Sequence, residues 1–210
     1  MKRMMLGDLD WLMNYNQVKK RLFIRLLPKV TESSYVANIP LKEMAPKLFA
    51  AAYIILSDDD SRIATTMVNN DLLKKYRISK EELFRDAMLS SINLYPENIE
   101  SMASVLGPLS LTSEDSDPKI IVVSNKNMHM GASAMFYPGV MEKVSLMFGG
   151  DFIMIPSSIH ETLAIPADVG TRGTLRSIVK SVNASVVDPS DQLSDNVYIY
   201  NSFERKMVLL

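Results

Sequence analysis

The stretch FIMIPSSIHETLAI, residues 152–165, contains two short apolar segments separated by a polar one. Phe152–Ile155 and Glu161–Ile165 have the length and apolar character of strands. The residues between them, Pro156 to His160, are of the kinds that form turns. This stretch therefore predicts two strands around a short turn.

Outward from this stretch, the second half of the chain predicts more strands and two helices. One helix begins at Pro138 and ends at Gly149-Gly150, and its apolar residues recur at helical spacing. Apolar residues from Leu175 to Val186 mark the other. Further strands are predicted at Lys119–Val123, Ala132–Phe136, Val197–Tyr200 and Met207–Leu210. The order ββαββαββ is typical of an α+β fold with mixed or antiparallel sheet layers and helices.

The first half predicts a β-rich part followed by helices. Strands are predicted at Arg21–Leu27, Leu48–Leu56 and Ile63–Val68. A helix starting near Pro46 is the alternative for the second strand, because short apolar runs are ambiguous. Ser79 and Glu82 have the spacing of a capping box at the start of a helix. Another helix is predicted from Pro96 to Leu106.

The polar segment Ser110–Pro118 has the composition of a surface linker. It divides the chain into an N-terminal β-rich and helical lobe, residues 1–110, and a C-terminal ββαββαββ lobe, residues 117–210. The two lobes could be pseudo-similar, and they could together form one domain.

Composition excludes several classes of function. The 210 residues carry a net charge of −1 and include no cysteine and only two histidines, His129 and His160. Thiolate zinc, iron–sulfur clusters and multi-histidine metal sites are therefore excluded. A carboxylate site for magnesium or calcium stays open, although we expect neither a metal nor a cofactor. The longest apolar run has nine residues, and a membrane-spanning helix needs about 20. Asp8 and Asp10 stand where a signal peptide would need its apolar core, so a cytoplasmic location is expected.

Charge is unevenly distributed along the chain. Residues 1–29 contain seven Lys or Arg against two Asp, so the rest of the chain is acidic. This arm could contact phosphate, but a solvated basic face is the preferred interpretation, and nucleic acid is an improbable partner at this net charge. The segment Gly170 to Thr174 is a second candidate for contact with an anion. Its backbone amides, with Arg172 and Arg176, could bind one, although the preferred interpretation is a helix start with Thr174 as its N-cap.

The segment Pro156–Glu161 carries the only candidate for catalysis. Ser157 or Ser158 could act as a nucleophile with His160 as its base, if a carboxylate oriented the ring. In an extended segment Ser158 and His160 share a face, whereas Glu161 points to the other one. The carboxylate would then come from Asp151, Asp168 or Asp195. No GxSxG elbow is present, and Ala164 breaks an HExxH pattern. A structural turn is the preferred interpretation.

Several elements resemble an uncharacterised bacterial family of unknown function from Gram-positive gut anaerobes. They are Ser124-Asn125, Gly131-Ala132, a YPGV element at 137–140, a PSSxHE element at 156–161 and an LSDxVYxY element at 193–200. The resemblance implies an α+β fold, and it does not point to any particular activity. It makes Asn125, Gly131, Tyr137 and Glu161 candidate binding residues.

Two functions remain open at this point. The preferred one is a non-enzymatic cytoplasmic binding or regulatory protein, whose partner is an unknown protein or small molecule. Such a protein is expected to expose an apolar or methionine-rich patch of more than a few hundred Å². The alternative is a hydrolase that uses Ser157 or Ser158 with His160.

Overall fold

The computed structural model describes residues 6–29, 36–59, 62–106, 120–169, 172–185 and 187–210. Within these residues it contains two antiparallel sheets and six α-helices, which confirms the predicted α+β class. The predicted linker Ser110–Pro118 lies outside the described residues.

The first sheet is built around one long strand. Its strands are β1 (Leu22–Leu26), β2 (Leu41–Ala45), β3 (Leu48–Asp59) and β4 (Arg62–Met67). Strand β1 pairs with one edge of β3, and β2 and β4 follow each other along its other edge. The three strands predicted in the first half are thus confirmed. The helix considered from Pro46 is wrong, because both edges of β3 are hydrogen-bonded to other strands.

The second sheet has six strands in the order β10-β9-β7-β8-β6-β5, and every pair is antiparallel. These are β5 (Glu97–Ser101), β6 (Ile121–Asn125), β7 (Phe152–Ile155), β8 (Thr162–Pro166), β9 (Tyr198–Asn201) and β10 (Lys206–Leu209). The two strands around residues 156–161 and the final hairpin are confirmed. Strand β5 precedes residue 110 and pairs with β6, which follows residue 117.

Six α-helices accompany the sheets: α1 (Tyr15–Val18), α2 (Asn70–Tyr76), α3 (Lys80–Leu94), α4 (Met102–Leu106), α5 (Val140–Phe148) and α6 (Arg172–Ser185). The capping box predicted for Ser79 and Glu82 is present at the start of α3. Gly149 ends α5 in the left-handed conformation, φ 76°, where glycine carries no Cβ penalty.

One hydrophobic core joins both sheets. Apolar even-numbered residues of β1 and β3, among them Ile24 and Ile54, face the same cluster as Val123 of β6 and Tyr198 of β9. Strand periodicity explains this, because alternate side chains point to opposite faces. Apolar odd-numbered residues of the same strands, such as Phe23 and Tyr53, form a second, smaller cluster with Tyr95. Helix α6 covers the outer face of the second sheet, where Leu175 and Val179 contact Ile153.

Two predicted elements are wrong. Ala132–Phe136 is a 3-10 helix rather than a strand, so the ββαββαββ order does not hold. All five of its residues are buried, and a short run that is apolar on every side carries no period. The helix predicted over Pro96–Leu106 is instead strand β5 followed by the short helix α4. Proline is compatible with the start of an edge strand, so Pro96 did not specify a helix.

Candidate functional site

The loop of residues 156–161 joins β7 to β8 and is held against the segment that follows β6. The backbone amides of Gly131 and Ala132 donate to the carbonyls of His160 and Ile159 at 3.0 and 3.2 Å. The Ser124 hydroxyl donates to the same His160 carbonyl at 2.7 Å. The loop is therefore fixed by its backbone, whatever its side chains do.

The Ser158 hydroxyl is fully used inside this loop. Its Oγ donates to Glu161 Oε1 at 2.8 Å and accepts the amide N–H of His160 at 3.0 Å. Glu161 reaches Ser158 because the segment turns back on itself, with the Ser158 amide donating to the Glu161 carbonyl. The expectation that Glu161 points away from Ser158 assumed an extended segment and is wrong.

The His160 ring is held by groups other than the serines. Its Nδ1 accepts the amide N–H of Met130 at 3.2 Å, and its Nε2 lies 3.6 Å from Asp191 Oδ2. In this arrangement Nδ1 is the acceptor and the neutral ring carries its proton on Nε2. A base that activates a serine needs a free ring nitrogen within hydrogen-bond distance of the hydroxyl. Among the described residues, Ser157 Oγ has no hydrogen-bond partner, and its amide donates to Ile155.

Asp191 is the carboxylate nearest the ring, and the sequence did not single it out. It comes from the turn after α6, and its carbonyl accepts the Ile159 amide at 2.9 Å. Two of the three carboxylates considered instead have other partners. Asp151 accepts from Ser202, and Asp195 pairs with Lys29. No spacing in the sequence signals Asp191, because about 30 residues separate it from His160.

The second histidine lies beside the first. The ring centroids of His129 and His160 are 5.1 Å apart. Burial lowers the pKa of His129, and the neighbouring His160 and Arg25 lower it further, while Asp191 acts in the opposite direction. His129 is therefore biased towards its neutral form.

Asn125 organises the loop that carries His129. It is 3% exposed, and its side chain donates to the His129 carbonyl and accepts the amides of Asn127 and His129. Asn125 therefore shapes this loop through both the oxygen and the nitrogen of its side-chain amide.

Gly131 and Tyr137 also have structural roles. A Cβ on Gly131 would lie 2.3 Å from Ser124 Oγ and 2.4 Å from the Asn125 amide nitrogen. Tyr137 is 4% exposed, its hydroxyl donates to the Tyr95 carbonyl, and burial raises its pKa to about 12. Gly131 thus permits a close approach of two backbone segments, and Tyr137 belongs to the core.

A cleft of about 500 Å³ opens at another place, between the first sheet and helix α6. Its charged lining consists of four cations and one carboxylate: Lys29, Lys47, Arg176, Lys180 and Asp195. Its apolar lining comes from Leu27, Val36, Leu41, Phe49 and Leu193. We call this site the basic cleft. Sequence reasoning singled out only Arg176 and the basic arm that ends at Lys29. Lys47 comes from a separate segment, and Lys180, four residues after Arg176 on the same helix, was missed.

A second concavity, of about 640 Å³, is an apolar groove between helices α3 and α5. It is lined by Phe84, Met88, Leu89, Tyr137 and Met141, with charged residues at its rim. The surface therefore includes an apolar region. A wholly polar surface would have counted against a binding protein.

Over the residues that the structure describes, no group of three or more His, Asp or Glu side chains is placed to hold a metal ion. None of the helices in that part of the chain has the length and apolar character needed to cross a membrane.

Comparison with known proteins returns a family but no activity. No curated protein and no solved structure matches the chain. A family model matches residues 2–202, which is nearly the whole chain. The chain therefore belongs to DUF5688, a family of unknown function.

Proposed function

We propose that this chain is a non-enzymatic binding protein and that its ligand occupies the basic cleft. The observation that carries the proposal is the lining of the cleft, where four cations face one carboxylate above an apolar floor. Small-molecule sites have this character, being concave, partly apolar and about 300–1,000 Å³ in volume.

The loop of residues 156–161, which we call the histidine loop, supports binding over catalysis. The Ser158 hydroxyl is committed to Glu161 and to the His160 amide, and the His160 ring is committed to Met130 and faces Asp191. Nucleophilic catalysis by serine requires a hydroxyl-to-base hydrogen bond. The hydrogen bonds of this loop instead hold two backbone segments together.

Two accompanying expectations stay predictions from the sequence. A cytoplasmic location rests on Asp8 and Asp10 in the place of a signal peptide core. The division into lobes 1–110 and 117–210 rests on the composition of the segment between them.

The binding proposal is tested by a thermal-shift panel of small anions, neutral molecules and cations. We expect anions alone to raise the melting temperature of the wild type, and the double variant Arg176→Gln/Lys180→Gln to lose this response. Lys75→Gln removes an exposed lysine of α2 outside the cleft, and it should respond like the wild type. Stabilisation by no class of compound, or equal stabilisation of the double variant, would contradict the proposal.

The hydrolase remains the alternative, and one pair of measurements separates it from binding. If His160 is structural, His160→Gln should lower the free energy of unfolding by about 1 kcal/mol, since the part-buried hydrogen bond from the Met130 amide to the ring is lost. No ester or phosphoester substrate should then be turned over by the wild type. Turnover that disappears in His160→Gln while the melting temperature is unchanged would establish the hydrolase and overturn the binding proposal.

A further inference from the structure

The basic cleft has a surplus of positive charge that the described part of the protein does not neutralise. Asp195 pairs with Lys29 at 2.9 Å and also accepts from Asn183 at 2.9 Å. Burial alone would raise the pKa of Asp195, but the hydrogen bonds from Asn183 and Lys29 lower it overall. The carboxylate is thus ionised near neutral pH, where it pairs with Lys29 and also attracts Lys180 at longer range. Lys47, Arg176 and Lys180 form no ion pair with any residue that the structure describes.

These three cations come from two walls of the cleft. Arg176 and Lys180 are four residues apart on α6 and therefore lie on the same helical face. Lys47 stands in the turn between β2 and β3, with φ 65°, and its amide donates to Glu43 Oε1 at 2.8 Å. The three cations are therefore positioned by two separate elements, α6 and the turn between β2 and β3, and a ligand between the walls would be contacted from both sides.

The floor of the cleft is suited to an apolar group. Leu27, Leu41 and Leu193 contribute to it, and Phe49 is 40% exposed although it lies within a strand. A large exposed aromatic side chain gains free energy when a ligand covers it. The cleft thus offers an anion site and an apolar surface within one cavity.

We infer that the cleft binds a small organic phosphate, namely a phosphate monoester attached to a flat apolar body. This inference deepens the proposed function and rests on it. A phosphate monoester carries a charge of about −1.5 to −2 at pH 7 and presents three acceptor oxygens. Arginine and lysine are the side chains that recognise phosphate. Three cations that form no close ion pair with a described residue match this charge better than they match a single carboxylate.

The first test compares a complete ligand with its two halves by isothermal titration calorimetry. The probes are 1-naphthyl phosphate, inorganic phosphate and 1-naphthol. We expect 1-naphthyl phosphate to bind the wild type at least tenfold more tightly than either half. Equal affinity for inorganic phosphate would mean that the cleft holds any small anion, and equal affinity for 1-naphthol would mean that the charges play no part. Either result overturns the inference.

The second test uses variants whose folding is checked by circular dichroism. Arg176→Gln/Lys180→Gln should weaken 1-naphthyl phosphate binding at least tenfold. Phe49→Ala should weaken it about three- to fivefold and leave the affinity for inorganic phosphate unchanged. Lys75→Gln is the matched control and should stay within twofold of the wild type. If the double variant binds as tightly as Lys75→Gln, the site lies elsewhere and the inference fails.

A third probe separates failure of this inference from failure of the proposed function. If 1-naphthoate binds the wild type more tightly than 1-naphthyl phosphate, and the double variant loses that binding, the ligand is a carboxylate. The phosphate inference is then wrong, while binding in the cleft stands. If none of the probes binds and no anion of the thermal-shift panel stabilises the wild type, both proposals fail.

Discussion

The histidine loop (residues 156–161) and the basic cleft differ in how their polar groups are used. In the loop, Ser158, His160 and Glu161 direct their polar atoms to one another or to nearby backbone and carboxylate groups. In the cleft, Lys47, Arg176 and Lys180 line an open volume and have no ion-pair partner among the described residues. A polar group already satisfied within the fold contributes to stability, whereas one left open towards a cavity can contribute to binding. The structural role given to the loop and the binding role proposed for the cleft both rest on this difference.

The largest effect that follows from this comparison is on stability, at Gly131. Gly131→Ala would place a Cβ 2.3 Å from Ser124 Oγ and 2.4 Å from the Asn125 amide nitrogen. The second contact is with backbone, so the two segments must move apart. We expect the free energy of unfolding to fall by about 3 kcal/mol, at the upper end for overpacking, as measured by urea denaturation.

Gly150→Ala is the matched control, because nothing lies within 4 Å of its added Cβ and its φ is not positive. It should change the free energy of unfolding by less than about 0.5 kcal/mol. Equal losses in the two variants would mean that the loop is not packed as tightly against residues 124–125 as the structure shows.

Ser158 is expected to give the next largest effect. Ser158→Ala removes the hydrogen bond to Glu161 and the acceptor of the His160 amide, which leaves a carboxylate and an N–H group unsatisfied. The expected loss is about 2 kcal/mol, since an orphaned buried polar group costs roughly 1–3 kcal/mol. Ser157→Ala, one residue earlier, should be nearly neutral in the same urea titration. The opposite ranking of the two serines would remove the structural role given to Ser158.

The helix ends that the sequence predicted have a local cause. Ser79 and Glu82 form their capping box through contacts three residues apart, and Gly149 ends α5 through its own backbone conformation. Strand β5, which was wrongly predicted as helix, instead depends on a distant partner. It has Ile99 as its only apolar residue and is held by pairing with β6, at least 20 residues later. Local propensity carries no information about such a partner.

The two candidate sites also differ in how much of each could be predicted from the sequence. The sequence drew attention to Ser158, His160 and Glu161, but their contacts depend on a turn that brings Glu161 back to Ser158. The basic cleft combines cations from three regions, so only the chain trace brings Lys47 near Lys180. Spacing in the sequence could have paired Arg176 with Lys180, four residues later on the same helix.

His129 gives a smaller effect that depends on pH. Its pKa is lowered in the folded protein by burial and by its neighbours His160 and Arg25. The unfolded chain therefore binds a proton at a higher pH than the folded protein does, and stability falls as the pH drops below about 6.5, the ordinary histidine value. His129→Gln should lose less stability than the wild type between pH 7.5 and 5.5. The difference should stay under about 1 kcal/mol, because the side chain is largely exposed and screened by solvent. Identical pH profiles would contradict the lowered pKa.

The cleft should give the smallest effect on stability, and with the opposite sign. In Arg176→Gln/Lys180→Gln, the attraction of Lys180 for Asp195 is lost, but repulsion among the cations that line the cleft is relieved. Exposed charges contribute little individually, so the free energy of unfolding should stay the same or rise by up to about 0.5 kcal/mol.

Added salt should stabilise the wild type more than the variant, because it screens a repulsion that only the wild type retains in full. A loss of about 2 kcal/mol, like that expected for Ser158→Ala, would place these cations among the structural residues and erase the difference between cleft and loop. Retained stability together with lost anion binding is the result that a binding site requires, because its charges serve the ligand rather than the fold.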